Sequence, residues 1–233
     1  MTCSSHADLQ LFERNSAGRD FAVGDIHGYF CELERSLAFI GFNRARDRLF
    51  AVGDLVDRGP QSAQVLQWLE QPWFHSVRGN HEIMACNALL GDAAALDFHM
   101  RFGGQWLHEL DKAAQARMAA ALRALPLAMQ VQTAQGPIGL VHADLPTDDW
   151  QDMHRALSPR EISHCLWSIE RYRHGYGAPV RGVRAVVHGH VTVRQPVTLG
   201  NVYFIDTKGG KPEGRLTFLN LQTLRTQPGA QPE

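Results

Sequence analysis

Cysteine is scarce in this chain of 233 residues: Cys3, Cys31, Cys86 and Cys165 lie far apart and form no Cys-x-x-Cys pair. A disulfide framework is unusual in a chain of this length, and a Cys-rich structural zinc site needs clustered thiolates. Neither is expected here. The sequence instead indicates reduced thiols and a cytoplasmic location.

Long apolar runs and an excess of one charge are missing too. No stretch approaches the roughly 20 apolar residues that a helix needs to cross a bilayer. The polar segment 1–18 lacks the apolar part of a signal peptide. The formal net charge is −1, and the 23 Lys and Arg residues are scattered. Nothing therefore indicates binding to nucleic acid or to a membrane.

In the first part of the chain, a short apolar run is followed by a polar loop and then by a helical pattern, and this order is repeated three times. This order predicts βαβ units with a largely parallel sheet. The alanine-rich segment 93–125 is expected to be a helical, cap-like insertion. The predicted strands are 21–23, 48–52 and 74–77, and the predicted helices are 30–40, 60–69 and 81–90.

Later apolar runs are dense enough to predict a second sheet packed on the first. The expected fold class is α/β, a two-sheet β sandwich flanked by helices, in one domain over 19–225. Residues 1–18 would be an N-terminal extension, and the polar tail 226–233 is expected to be disordered. The later strands are 127–131, 138–141, 183–187, 203–205 and 216–221, and a helix over 158–168 has Ser158 as its N-cap and Pro159 at its first position.

Five polar clusters each follow a predicted strand. Ligand sites in open α/β sheets form beyond the carboxyl ends of strands, so clusters far apart in sequence can meet at one site. The clusters are Asp25-Ile26-His27-Gly28, Gly53-Asp54-Leu55-Val56-Asp57-Arg58-Gly59, Gly79-Asn80-His81-Glu82, His142-Ala143-Asp144 and His188-Gly189-His190.

These clusters supply carboxylate, amide and imidazole groups and no thiolate. Such ligands suit Mn²⁺, Fe²⁺ or Zn²⁺, and paired ions about 3.5–4 Å apart are a recurrent device for phosphoryl chemistry. Each motif alone is weak evidence, because Asn-His after a strand can simply cap a helix. Together they favour a metal site, since burying so many polar side chains costs several kcal/mol unless cations compensate.

The order of these motifs resembles the phosphoprotein phosphatase branch of the metallophosphoesterases, and within it the bacteriophage lambda type of serine/threonine protein phosphatase. The motifs that carry the likeness are GDIHG (24–28), GDLVDRG (53–59), GNHE (79–82), HAD (142–144) and GH (189–190). Further similar segments are PWF-x-x-VRGNHE (72–82), GG-x-W (103–106), HADLP (142–146) and FIDT (204–207). The resemblance spans residues 19–222.

The resemblance implies two divalent ions, manganese by family expectation with iron or zinc as alternatives, and in-line attack on phosphorus by a hydroxide held between them. It implies that Asp54 bridges both ions. Within His188-Gly189-His190, His190 is the implied ligand, and His188 is expected to be a packed strand residue. The implied metal ligands are Asp25, His27, Asp54, Asn80, His142 and His190.

The remaining roles also follow from the resemblance. His81 would act as general acid, and Asp57 would orient it. Arg58, with Asn80, would bind the phosphoryl group, because a guanidinium neutralises its developing charge; the alternative for Arg58 is a surface ion pair. No cysteine lies in the motifs, which disfavours a cysteine nucleophile.

Two positions depart from the family pattern. Ile169 stands where relatives carry a second phosphate-binding Arg, which an apolar side chain cannot replace. On a continuous helix Arg173 would share the face of Ile169 at i+4, and Arg171 would point away, so Arg173 is the candidate substitute. Lys208 stands where relatives often have Gly; it is expected to be a solvated loop lysine, and the alternative is that it meets an acidic group of the substrate.

Three functions remain open from the sequence. The first is a metal-dependent phosphomonoesterase, in particular a serine/threonine protein phosphatase acting on phosphorylated proteins and small phosphate esters. The second is a hydrolase of dinucleoside polyphosphates such as diadenosine tetraphosphate (Ap4A), for which loss of the second Arg is easier to accept. The third is an inactive metal-binding scaffold, supported only by Ile169. The sequence carries no indication of oligomeric state.

Overall fold

The computed structural model describes residues 9–232, so the predictions for residues 1–8 and 233 lie outside the described part of the chain. The strands are β1 Leu9–Phe12, β2 Asp20–Val23, β3 Arg48–Ala51, β4 Phe74–Ser76, β5 Ala128–Thr133, β6 Gly136–Val141, β7 Ala185–His188, β8 Val197–Leu199, β9 Val202–Phe204, β10 Thr217–Asn220 and β11 Arg225–Pro228. The α-helices are α1 Phe30–Phe39, α2 Val65–Leu69, α3 Asn80–Ala88, α4 Ala93–Arg101, α5 Gln105–His108, α6 Lys112–Ala124, α7 Pro159–Trp167 and α8 Glu170–Arg173. Short 3-10 helices span Ser62–Gln64 and Trp150–His154.

The strands form two sheets. The five-stranded sheet has the order β11-β10-β2-β3-β4, and the six-stranded sheet has the order β1-β5-β6-β7-β9-β8. Strands β2, β3 and β4 are parallel, as the repeated pattern predicted. Strands β6, β7 and β9 are parallel in the second sheet. The carboxyl ends of two sets of parallel strands therefore open toward loops that carry the polar motifs.

Alternation along the strands explains why the sheets pack face to face. Ala22 and Phe50 of the first sheet join Met129, Leu140 and Val187 of the second in one fully buried apolar cluster. Their neighbours in sequence point to the opposite faces, because successive side chains of a strand alternate. The outer face of the five-stranded sheet is covered by α1, α2, α3, α5 and α6, and α7 covers the other sheet. The two-sheet sandwich flanked by helices is confirmed.

The helices largely begin where the sequence indicates. Ser158 caps α7 in a capping box with Glu161, and Pro159 is its first residue. The segment 93–125 contains α4, α5 and α6, as expected for a helical insertion. The helix predicted over 60–69 begins later, as a 3-10 turn at Ser62–Gln64 that continues into α2. No helix within residues 9–232 has the length and apolar content to cross a bilayer.

Three sequence interpretations need correction at the sheet edges. Residues 216–221 were expected in the second sheet. They contribute β10 to the first sheet instead, in which β10 pairs antiparallel with β2. The polar tail is not disordered from 226, because β11 pairs antiparallel with β10 after a turn in which Asn220 accepts bonds from two backbone N–H groups. Residues 9–12 of the expected extension form β1, parallel to β5. For β1 and β11, backbone pairing with a neighbouring strand offsets a weak local pattern, whereas 216–221 is a strand as predicted and only its partner strand differs.

Candidate metal centre

The loops that follow β2, β3, β4, β6 and β7 meet at one end of the sandwich. The structure brings together all six predicted metal ligands, which come from segments as far apart as Asp25 and His190, linked by hydrogen bonds from the His190 N–H to the Asp25 carboxylate at 3.0 and 3.2 Å. Within residues 9–232, two groups of side chains have ligand atoms close enough to hold an ion. They are His27, Asp54 and His81, and Asp54, His142 and His190. Asp54 belongs to both groups.

Lone pairs converge around Asn80. The Nδ1–H of His142 donates to the Val52 carbonyl at 2.7 Å, so its Nε2 carries a lone pair. That Nε2 lies 2.8 Å from Asn80 Oδ1 and 3.4 Å from an oxygen of Asp54. Burial lowers the pKa of His142, which disfavours a proton at this point. His142 Nε2, Asn80 Oδ1 and the Asp54 oxygen therefore face one another with no hydrogen atom between them. A bound cation would remove the repulsion among these lone pairs.

His190 adds a fourth such atom. Its Nε2 lies 3.3 Å from the Trp167 carbonyl and donates to it, which leaves Nδ1 with a lone pair 3.1 Å from Asn80 Oδ1. Burial, and then the neighbouring imidazole of His142, lower the pKa of His190 to about 4. The imidazole is consequently neutral at pH 7, the form that binds metals.

A second set of donors lies on the other side of Asp54. The Nδ1–H of His27 donates to the Val56 carbonyl at 3.0 Å, and its Nε2 lies 3.6 Å from Asp54 Oδ2. Burial lowers the pKa of His27 to about 3. Nη1 of Arg58 lies 2.8 Å from this Nε2, and Nη2 lies 3.1 Å from His81 Nε2. The guanidinium thus spans the two imidazoles at the mouth of the site.

Carboxylates crowd the base of the site. Burial, and then the charges of Asp206 and Asp54, raise the pKa of Asp25 well above its usual range. Burial also raises the pKa of Asp206, whose carboxylate accepts bonds from Thr192 and from the N–H groups of Lys208 and Gly209. Asp206 lies in the FIDT segment and had no role in the sequence interpretation. Buried like charges that influence one another require compensation, which divalent ions supply.

The backbone is strained at this site. Among residues 9–232, six non-glycine residues have a positive φ, and five of these belong to the cluster, the other being Leu224. Such conformations cost on the order of 1–3 kcal/mol each and persist where the surrounding structure fixes them. The five are His27, Asp54, Asp57, Arg58 and His190, with φ values between 46° and 71°.

His81 is held by Asp57. Its Nδ1–H donates to Asp57 Oδ2 at 2.7 Å, and both side chains are buried. Although burial lowers the pKa of His81, the charges of Asp54 and Asp57 raise it above the ordinary value overall. His81 Nε2 also lies 3.9 Å from Asp54 Oδ2. His81 therefore joins His27 and Asp54 in a group whose ligand atoms could hold one ion, a position for which the sequence indicated Asp25.

Glu82 holds the Asp54 loop. Its carboxylate accepts hydrogen bonds from the N–H groups of Asp54, Leu55 and Gly79 at 2.7–2.9 Å. Burial, and then the charge of Asp54, raise the pKa of Glu82 to about 7. The sequence motif contained Glu82 but gave no function for it. An acidic residue three positions after Gly79 at a helix start is the signal that could have identified it.

Three expectations about neighbouring residues change or gain detail. Lys208 is not solvated: it is 1% exposed, and its ammonium donates to Glu32. His188 is a packed strand residue, as expected, with Nδ1 2.9 Å from the Val141 carbonyl. The helix predicted over 158–168 ends at Trp167, since Ser168 is extended, and the separate helix α8 begins at Glu170 with Ile169 as its N-cap.

The two arginines after Ile169 therefore have other surroundings. Arg173 lies at the surface, 57% exposed, and donates to Glu170 at 2.9 Å. Arg171 is buried and donates to Asp148, to the Tyr176 carbonyl and to the Ala178 carbonyl. None of these contacts of Arg171 and Arg173 involves a proposed metal ligand. The expected i+4 relation to Ile169 is present, since the Arg173 N–H donates to the Ile169 carbonyl at 2.8 Å, but the guanidinium is directed to Glu170, and the substrate-binding role of Arg173 stays a prediction.

The donors fit divalent cations. Each imidazole near Asp54 uses one nitrogen on a backbone carbonyl or on Asp57, which fixes the ring and turns the other nitrogen toward the cluster. The set contains oxygen and neutral nitrogen atoms and no thiolate, which suits manganese, iron or zinc. A two-sheet sandwich with such a cluster at its strand ends defines a metal-dependent phosphoesterase.

Comparisons with known proteins agree. The calcineurin-like phosphoesterase family matches residues 21–194. Serine/threonine-protein phosphatase 1 of Salmonella typhimurium is 35% identical over 216 residues, which is 91% of this chain and 96% of that protein. A symmetrical bis(5'-nucleosyl)-tetraphosphatase of Methylococcus capsulatus is 35% identical over 128 residues, which is 54% of this chain and 43% of that protein.

Among solved structures, a protein serine/threonine phosphatase from Saccharomyces cerevisiae has a TM-score of 0.66 and 17% identity over 97% of this chain and 85% of that one. At this identity the likeness shows a shared fold. The chain belongs to the calcineurin-like phosphoesterase family. It is an enzyme that hydrolyses phosphate esters, in a family that depends on two metal ions.

Proposed function

We propose that the chain is a serine/threonine protein phosphatase that removes phosphoryl groups from phosphorylated proteins and also acts on small phosphate esters. The observation that carries the metal dependence is the convergence of lone pairs from His142, His190, Asn80 and Asp54. The substrate class is supported by the full-length similarity to the Salmonella typhimurium phosphatase.

The proposed ligands divide around Asp54. Asp25 and His27 with Asp54 would hold one ion, and Asn80, His142 and His190 with Asp54 the other. Manganese is the proposed metal. Bound ions would supply positive charge to the phosphoryl oxygens and lower the pKa of water to about 7.

The chain's own residues then position the ester. Arg58 is anchored by a hydrogen bond from Nη1 to the Gly209 carbonyl at 3.1 Å and presents its guanidinium at the mouth of the site. Planar guanidinium groups suit phosphoryl oxygens because they bind two at once. Asn80 would supply its amide N–H group to the same phosphoryl group. Positive charge fixed at this point stabilises the transition state more than the ground state.

His81 is suited to protonate the leaving oxygen. Its Nδ1–H is committed to Asp57, so Nε2 is the atom that would carry the transferred proton. The bond to the Asp57 carboxylate favours the protonated form of the imidazole. Asp57 fixes the ring and balances its charge. Within residues 9–232, the hydrogen bonds described above for His81, Asp57 and Arg58 involve no cysteine, so direct attack on phosphorus is favoured over a covalent intermediate on a thiol.

Hydrolysis of dinucleoside polyphosphates is the second candidate. It is favoured by Ile169, which removes a phosphate-binding arginine, and by the partial match to the tetraphosphatase of Methylococcus capsulatus. That match covers 54% of this chain, whereas the phosphatase match covers 91%. An inactive scaffold is disfavoured because all the proposed metal ligands and the His81–Asp57 pair lie together.

The test is a comparison of substrates on protein freed of metal and reloaded with manganese. A phosphoserine peptide and diadenosine tetraphosphate are assayed in parallel with the same preparation. We expect a kcat/KM for the peptide at least about tenfold above that for the dinucleotide, a difference of roughly 1.4 kcal/mol in transition-state binding. Preference for the dinucleotide would replace the proposed substrate, and activity without metal would refute the metal dependence.

A further inference from the structure

The two oxygens of Asp57 have different partners. Oδ2 accepts the bond from His81, whereas Oδ1 accepts from His99 Nε2 at 2.9 Å and from Trp106 Nε1 at 2.7 Å. Asp57 and His99 are fully buried. The carboxylate is therefore held by three N–H donors, and two of these lie on the side away from His81.

Both additional donors come from the helical insertion. His99 lies in α4, and Trp106 lies in α5. The connection between them packs tightly on the catalytic loop. Gly103 has φ of +96°, and a Cβ there would lie 2.5 Å from the backbone nitrogen of Arg58. The GG-x-W segment thus lies directly on the loop that carries Asp57.

The second glycine of that segment explains how His99 is fixed. A Cβ at Gly104 would lie 2.3 Å from the His99 ring, and the Gly104 N–H donates to the His99 carbonyl at 3.0 Å. The backbone at Gly104 therefore lies directly against the imidazole, with no room for a side chain between them. His99 cannot turn its Nε2–H away from Asp57 without moving this segment.

Fixing Oδ1 has a consequence for His81. A carboxylate bonded only through Oδ2 can rotate about its Cβ–Cγ bond, which turns the acceptor away from the imidazole. Two donors on Oδ1 prevent this rotation and keep the charge of Asp57 in place. Although burial raises the pKa of Asp57, the bonds from His81 and His99 hold it below its ordinary value, so the carboxylate stays ionised.

We propose that His99 and Trp106 of the helical insertion are positioning residues for the general acid, acting on His81 through Asp57. The inference rests on the proposed role of His81. It assigns the insertion a part in the reaction itself, beyond covering the apolar face of the first sheet.

A matched pair of tryptophan variants separates this role from a general effect of losing an indole. Trp106→Phe removes the donor to Asp57. Trp150→Phe removes an indole N–H that donates over the same 2.7 Å distance to Gln130 of β5, and not to Asp57. His99→Leu and His99→Gln form a second pair, since only Gln retains an N–H that can reach Oδ1.

The readout is the dependence on the leaving group. A serine alkoxide needs a proton as it leaves, whereas 4-nitrophenolate is a weak base and needs it little. We expect Trp106→Phe and His99→Leu to lower kcat for a phosphoserine peptide about tenfold, with KM unchanged, and kcat for 4-nitrophenyl phosphate by less than about threefold. We expect Trp150→Phe to change neither rate constant and His99→Gln to recover most of the loss. Circular dichroism confirms that each variant is folded.

The same variants are then combined with His81→Asn. Residues that act through His81 add no further loss once it is gone, because their effects are not independent. Additive losses, or equal slowing of both substrates by Trp106→Phe and His99→Leu, would overturn the positioning role. If His81→Asn itself slows both substrates equally, the general-acid assignment of His81 fails first, and the positioning role fails with it.

Discussion

The ammonium of Lys208 donates a 2.6 Å hydrogen bond to the Glu32 carboxylate, and both side chains are buried. Lys208 also donates to the carbonyls of Lys211 and Gly214, and it lies 3.9 Å from the centre of the Tyr29 ring. These contacts tie the loop after β9 to α1. The same loop supplies the Gly209 carbonyl that anchors Arg58.

Removing one partner of this pair should destabilise the protein. Lys208→Met leaves the Glu32 charge buried without its partner, which costs about 3–5 kcal/mol of unfolding free energy. Lys208→Met combined with Glu32→Leu should cost much less, because no charge remains buried. Urea unfolding measures both, with Glu34→Gln in the exposed pair with Arg44 as control, expected within about 1 kcal/mol of wild type. Equal losses for the single and double variants would contradict this interpretation.

Asp54 should be needed for metal and activity together. Asp54→Asn removes the charge that both proposed ion sites share, so we expect less than half of the wild-type manganese content and a fall in kcat of at least about 100-fold. Elemental analysis after dialysis and a phosphatase assay measure the two quantities. Asp97→Asn, in an exposed pair with Arg101, is the control and should change neither. Unchanged turnover in Asp54→Asn would disprove the bridging role.

Replacing Arg58 with alanine should lower kcat/KM far more than replacing Arg173. Arg58→Ala removes a guanidinium at the mouth of the site, and we expect kcat/KM to fall about 100-fold or more, because a fixed donor to developing charge contributes about 2.7–4 kcal/mol. Arg173→Ala removes a surface side chain paired with Glu170, and we expect less than a threefold change. Steady-state kinetics on a phosphopeptide decide. A large loss in Arg173→Ala would favour the substrate-binding role that the sequence suggested.

His75 should make stability depend on pH. Burial lowers the pKa of His75 to about 4, while its ring packs between Phe12 and Phe50. Between about pH 6.5 and 4 the unfolded chain binds a proton that the folded chain does not, so stability is present above pH 6.5 and is lost as pH falls. The loss is on the order of 3 kcal/mol. Thermal unfolding of His75→Phe should show a smaller loss over this range, and parallel curves would refute the assignment.

Much of the fold could be predicted because its signals are local. The apolar runs before Asp25, Asp54 and Asn80 are strands, and Ser158-Pro159 begins a helix, since strand alternation, capping and proline geometry depend on neighbours in sequence. The edge strand β11 escaped notice because its composition is polar, and β1 because it is a short run of four residues inside a polar segment. They form through pairing with β5 and β10, which no local pattern reveals.

The sequence by itself determined the residue types of the site and their order at strand ends, because parallel strands bring such ends together wherever the loops occur. The tertiary structure alone decided which oxygen of Asp57 each donor takes, that Lys208 is buried against Glu32, and that Arg173 faces Glu170. Those outcomes depend on how α1, the helical insertion and the loop after β9 pack against the sandwich. Contacts between segments far apart in sequence produce no local or periodic pattern, so a single sequence does not predict them.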